Sequence, residues 1–199
     1  MRTTDMADEL FSGAAQPLPA GVRLATARHG GVTVTRVEIA REGLSRPRGR
    51  YVTLEMPSVS VLDERDAAVI EVCARELRAL LPPEGPVLVG QLRPAAVVCV
   101  DSLCSAEGQR LGRTVQFSDS GLYPAQADHT RHLTRDTLGV PVVAAGIPTL
   151  MQAQEGADLV VTPRALDSVI AHGAALLAGS VNRALQPRLT VQQLCWLTG

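Results

Sequence analysis

The chain has 199 residues, 46% of them hydrophobic, with nineteen Lys+Arg against twenty Asp+Glu. That balance fits a globular protein of one or two domains and excludes a disordered tail or a collagen. A formal charge of −1 leaves no global basic field to gather phosphates, and all the basic residues are arginine, which removes Schiff-base and P-loop lysine chemistry. Aromatics make up 3%, so the core must come from Val, Leu, Ile and Ala, and stacking platforms for single-stranded nucleic acid are not expected. The apolar stretches 140–145 and 169–181 are too short or too interrupted to span a bilayer. The polar opening Met1-Arg2-Thr3-Thr4-Asp5 lacks the apolar core of a secretory signal, so a cytoplasmic location is expected. Cys73, Cys99, Cys104 and Cys195 form neither a CxxC pair nor a zinc-finger spacing and read as packing thiols.

Residues 1–30 show no clear periodicity around Pro17-Leu18-Pro19 and read as a partly disordered leader, followed by a single domain over 31–199. Val32, Val34, Val37 and Ile39 lie among polar neighbours as a mostly alternating strand, and 51–55 gives a second strand, the two forming a hairpin or adjacent pair. Helical spacing of Val69, Ile70, Cys73, Leu77 and Leu80 predicts a helix over 66–81 that ends at Pro82-Pro83. The unbroken apolar runs 87–89 and 95–100 read as strands buried on two faces, as in a parallel sheet, and 114–117, 140–145 and 159–161 continue the series. Thr162 as N-cap and Pro163 at the first helical position open a long helix to about residue 185, with a last short turn over 191–197. The expected fold class is therefore α/β, with a mostly parallel central sheet and flanking helices.

Asp101 follows an apolar strand, where open α/β sheets build their ligand crevices, and is the leading catalytic candidate. The alternative is that it caps a helix over 103–110. Asp119, in Ser118-Asp119-Ser120-Gly121, sits in another loop at a strand end and could meet Asp101 across the crevice. Two carboxylates in one site push their proton affinities apart, so that one holds a proton while the other activates water. An Asx-type turn with Gly121 supplying unusual backbone angles explains the same residues. Gly146 permits close approach of a ligand to the backbone, or simply turns the chain. His129 and His132 stand at a spacing that could place two imidazoles on one helical face, but no third ligand is fixed, and no metal or other cofactor is expected. His29 and His172 stand alone. Arg41, Arg46, Arg48 and Arg50 form a local basic loop, most simply a solvated one. No GxSxG, HExxH, Walker or GxGxxG string occurs.

Taken in order, several segments resemble the germination protease family of endospore-forming bacteria. Arg2-Thr3-Thr4-Asp5-Met6-Ala7 is similar to its RTDLA, and 31–37 and 49–55 to its GIKVTRV and GxYxTLEA strings. Residues 93–103, ending in Val100-Asp101-Ser102-Leu103, resemble KPDxVIAIDAL; 114–121 resemble TIQISDTG; 136–149 resemble TLGVPVIAIGVPT; and 161–167 resemble VTPKEVD. The chain departs from that pattern in passing from Val87-Leu88-Val89-Gly90 directly to Gln91-Leu92-Arg93-Pro94, without the family's glycine-rich GLGNxxVTPDALGP segment. A second stretch is absent between Thr149 and Gly156, and Tyr123 stands where HPGSG has histidine.

The resemblance implies a fold like that of the hydrogenase maturation endopeptidases and an atypical aspartic-type endopeptidase that degrades small acid-soluble spore proteins in the spore core or forespore. Asp101 matches one of the family's two aspartates; the other lies in the missing segment. A dyad needs one group to take a proton from water and one to polarise the carbonyl or protonate the amine. Asp119 and Glu55 are the candidate supporting acids. The resemblance also implies a homo-oligomer, while composition and hydropathy lead to no expected membrane and no direct nucleic-acid partner. The rival expectations are an inactive relative kept as a binding or regulatory protein in sporulating cells, and a metal-dependent peptidase with ligands around Asp101.

Overall fold

The computed structural model describes residues 18–44, 46–56, 64–82, 94–123, 132–152 and 160–198. Their elements, in chain order, are β1 Val22–His29, β2 Val32–Ile39, β3 Gly49–Glu55, α1 Glu64–Leu80, β4 Val97–Ser105, β5 Thr114–Ser118, α2 Arg135–Leu138, β6 Val142–Gln152, β7 Val160–Val161, α3 Leu166–Leu185 and α4 Val191–Thr198. The strands form one sheet in the order β1-β2-β3-β5-β6-β4, with β7 on the far end of β6.

The sheet corrects the expected mostly parallel architecture. β1–β2, β2–β3, β3–β5, β5–β6 and β6–β7 all pair antiparallel, and among the described strands only β4–β6 is parallel. The unbroken apolar runs were a signal of burial on both faces, and burial of that kind follows from a central position as readily as from parallel pairing. In β6, Val143, Ala145 and Ile147 face one core while Ala144 faces the other.

The two cores explain the imperfect alternation of β2. Val32 and Val34 pack with Leu54, Val115 and Phe117 beneath Ile70, Cys73 and Leu77 of α1 and Leu176 and Leu177 of α3. Val37 and Ile39 project from the opposite face, with Tyr51 and Ala144, against Leu122, Leu44 and Leu133 from loops. The apolar phase thus switches within the strand, leaving Thr33 and Thr35 on one face and Arg36 on the other.

Arg36, on the helix-covered face, reaches Glu76 of α1 through two bonds, Nε to Oε2 at 2.7 Å and Nη2 to Oε1 at 2.6 Å. Burial alone pushes the Glu76 carboxyl up, but the hydrogen bonds and charges of Arg36 and Arg75 outweigh it and hold the group below its ordinary range.

Three further readings need correction. β1 lies inside the segment read as a leader; its Arg, Thr and Ala residues are mostly exposed, as an edge strand allows, so no apolar period announced it. No helix covers 103–110: β4 runs on to Ser105, and a single 3-10 turn follows at Gly108–Arg110. The long helix starts at Leu166, with Ala165 at the N-cap and no side-chain cap, so Thr162 and Pro163 precede it. The expected strand at 87–89 lies outside the described residues.

Candidate functional site

One row of residues crosses the whole sheet on the face away from α1 and α3. Successive pairings link Thr26 to Thr35, Thr35 to Thr53, Thr53 to Gln116, Gln116 to Gly146 and Gly146 to Asp101. Directly paired residues point to the same face, so this is a polar stripe through an otherwise apolar sheet. Gln116 is fully buried, and its amide donates to Thr114 Oγ1 at 3.4 Å. Asp101 ends the stripe on β4, exposed, its Oδ1 accepting from the Ser102 N–H at 2.8 Å.

Asp101 is therefore inside β4, not in a loop beyond it. Gly146 opposite has a packing reason for being glycine: a Cβ there would lie 2.7 Å from Leu103 Cγ and 2.8 Å from the Asp101 carbonyl oxygen. The neighbour that needs the space is the β4 strand itself. On the helix-covered face beside it, the Ser102 and Thr149 hydroxyls are hydrogen-bonded to each other.

The two supporting acids lie elsewhere. Asp119 follows Ser118, which stands level with Cys99 two strands from β4. Its Oδ1 accepts from the Arg50 N–H and its Oδ2 from Arg50 Nε, both at 2.6 Å. Arg50 also donates to the Ala79 carbonyl at 2.8 Å and the Leu80 carbonyl at 3.4 Å, so Asp119 holds an arginine that caps the end of α1. Gly121 completes this turn at φ +99, where an added Cβ would lie 2.4 Å from the Leu133 carbonyl oxygen.

Glu55 pairs with Thr114 three strands from β4, roughly 14 Å at ordinary strand spacing. It lines a polar pocket of about 240 Å³ with Thr35, Thr53, Thr114, Glu107, Gln109 and Arg110. Glu107 and Arg110 pair there at 3.1 Å. Among the described residues, Asp101 shares neither a hydrogen bond nor this pocket with Asp119 or Glu55. The pocket gave no motif in the sequence, because its walls come from four separate segments joined by sheet register.

Other candidates resolve as structure. The His132 ring meets Tyr123 edge-on at 4.8 Å, while His129 lies outside the described residues. Among the described residues no group of three or more His, Cys, Asp or Glu side chains could hold a metal ion. Cys73 is fully buried, and desolvation pushes its thiol up to about 12, leaving no thiolate for chemistry. Cys104 is buried as well, whereas Cys195 is exposed. No described helix is long and apolar enough to cross a membrane.

A family model described as germination protease matches residues 86–155, a span that includes Asp101 and Asp119. The germination protease of Clostridium perfringens strain SM101 is 26% identical over 155 aligned positions, covering 54% of this chain and 48% of that protein. The germination protease of Halalkalibacterium halodurans is 36% identical over 87 positions, covering 43% of this chain and 22% of that protein. The Bacillus subtilis strain 168 germination protease is 37% identical over 68 positions, 33% of this chain and 18% of that protein. The chain thus spans about half the length, or less, of these curated relatives. The family-model match takes in the strands that carry Asp101 and Gly146, and over that part the chain is similar to germination proteases.

Proposed function

We propose that this chain is an endopeptidase of the germination protease type, acting on small acid-soluble spore proteins during spore germination, with Asp101 as its acid/base group. The observation that carries the reading is the family-model match over 86–155, a span that contains the Val100-Asp101-Ser102-Leu103 string, which resembles the family's IDAL string. The setting of Asp101 supports it. An exposed carboxylate at the middle of an edge strand is open to water and to a polypeptide, and a carboxylate so placed can take a proton from an attacking water. The reaction is placed, on this reading, in the spore core or forespore.

The test is incubation of the purified protein, and of Asp101→Asn, with a purified small acid-soluble spore protein, reading cleavage products by mass spectrometry. Cleavage by the wild type and its loss in the variant are expected; equal cleavage by both would remove Asp101 from the mechanism. The second reading is a non-catalytic relative that binds such proteins. It is favoured by one observation, the separation of Asp101 from Asp119 and Glu55 among the described residues. Reproducible turnover rejects it.

A further inference from the structure

β4 ends the sheet, and its outer side has no strand paired to it among the described residues. Backbone groups of alternate residues in a strand point to opposite sides, and on an end strand one set is left to solvent. The Ser102 N–H donates to Asp101 Oδ1, so it is turned outward, away from β6. Val100 and Val98, at the same phase of the strand, turn their N–H groups the same way. The Asp101 carboxylate thus stands where the carbonyl oxygen of an added strand would lie. Beside it the Val100 side chain is 58% exposed, and Asp101 is the one charged residue in the strand.

We infer that the outer edge of β4 is the binding groove for an extended polypeptide, which adds to the sheet as a further strand. A carbonyl of the bound segment takes the Ser102 N–H, and the Asp101 carboxylate, released from that bond, is left facing the added backbone. The inference deepens the peptidase reading and rests on it for what happens after binding; it names the form the substrate must take, a segment able to lie extended. A second copy of the chain fits this edge badly. Antiparallel pairing of β4 with itself about Asp101 would set two carboxylates opposite each other, a destabilising pair.

The test uses a short end-blocked peptide of alternating threonine and valine, and the same peptide N-methylated at alternate residues so that it cannot pair. Hydrogen exchange at Val98, Val100 and Ser102 should slow by about tenfold or more with the unmodified peptide and stay unchanged with the methylated one. Val100→Pro removes one outward N–H without costing a bond to β6, a place where a strand tolerates proline, and should weaken binding about tenfold with the circular dichroism unchanged. Equal binding of the two peptides, or protection that falls on other elements, would overturn the inference. That comparison uses the unaltered chain, so it stands even if Val100→Pro fails to fold. Edge protection without cleavage of a spore protein by the wild type would sink the peptidase reading and leave the edge. Cleavage without edge protection would sink the edge and leave the peptidase.

Discussion

Among the described residues the sheet ends in two strands of similar length and opposite character. β1 carries Arg23, Arg28 and His29 among small residues, and Arg23 pairs loosely with Glu38 at 3.5 Å, both side chains well exposed. β4 reads Val-Val-Cys-Val-Asp-Ser-Leu-Cys-Ser, with Val100 exposed and a lone acid at its centre. Repeated like charge along an edge discourages other chains from pairing there, and a mostly apolar edge invites them. The difference lies in what each strand leans on. β1 is held by the antiparallel ladder to β2 across a tight Gly30-Gly31 turn, and the Arg36–Glu76 pair ties β2 in turn to α1, whereas β4 is held by the parallel ladder to β6 and by Leu103 seated over Gly146.

The largest expected effect comes from disturbing that seat. In Gly146→Ala the new methyl meets Leu103 and the Asp101 carbonyl oxygen, and because the carbonyl is backbone, relief requires β4 to move. A loss of about 2–3 kcal/mol is expected in urea unfolding, the upper range for overpacking. Amide exchange should quicken in β4 before β1. A loss below about 0.5 kcal/mol would show that β4 shifts at little cost and that the two edges are equally loose.

Glu76→Gln acts on the other side of the sheet. Glu76 is 4% exposed while the Arg36 side chain is 39% exposed, so part of the arginine's charge stays solvated and the expected loss is about 1–3 kcal/mol. Because the folded carboxyl is held below its ordinary range, its contribution is complete above the unfolded value and disappears as pH falls through the folded one. The gap in melting temperature between wild type and Glu76→Gln should therefore be flat near neutrality and narrow in acid. A gap that widened in acid would contradict the assignment.

How far the sequence could be read follows from which forces leave a local trace. The β2–β3 hairpin, α1, β5 and the body of α3 were legible because each carries its own apolar period or run. Strand direction was not, since Val142 to Ala145 is buried whichever way its neighbours run, and β1 was not, since an exposed edge has no apolar phase to display. Asp101 stands out by its place after an apolar run, yet that place is inside β4 and not beyond it: a strand that continues past an acid looks, in sequence, like one that ends at it. Asp119 resembled a catalytic acid because a turn residue that holds an arginine needs the same side chain. The pocket around Glu55 and Glu107 required the register of β2, β3 and β5, which no local pattern encodes.

The smallest expected effect on stability is also the sharpest test of why β4 stays open. In Asp101→Asn the amide oxygen can still accept from the Ser102 N–H, and the side chain is exposed, so unfolding free energy should change by no more than about 0.5 kcal/mol. What the variant removes is the negative charge that sets β4 against a copy of itself. Sedimentation at rising concentration should show more dimer than the wild type, with added protection of the β4 amides on exchange. If the variant associates no more than the wild type, the carboxylate does not guard the edge. The preference for a foreign strand over a second copy would then need another source than the Asp101 charge.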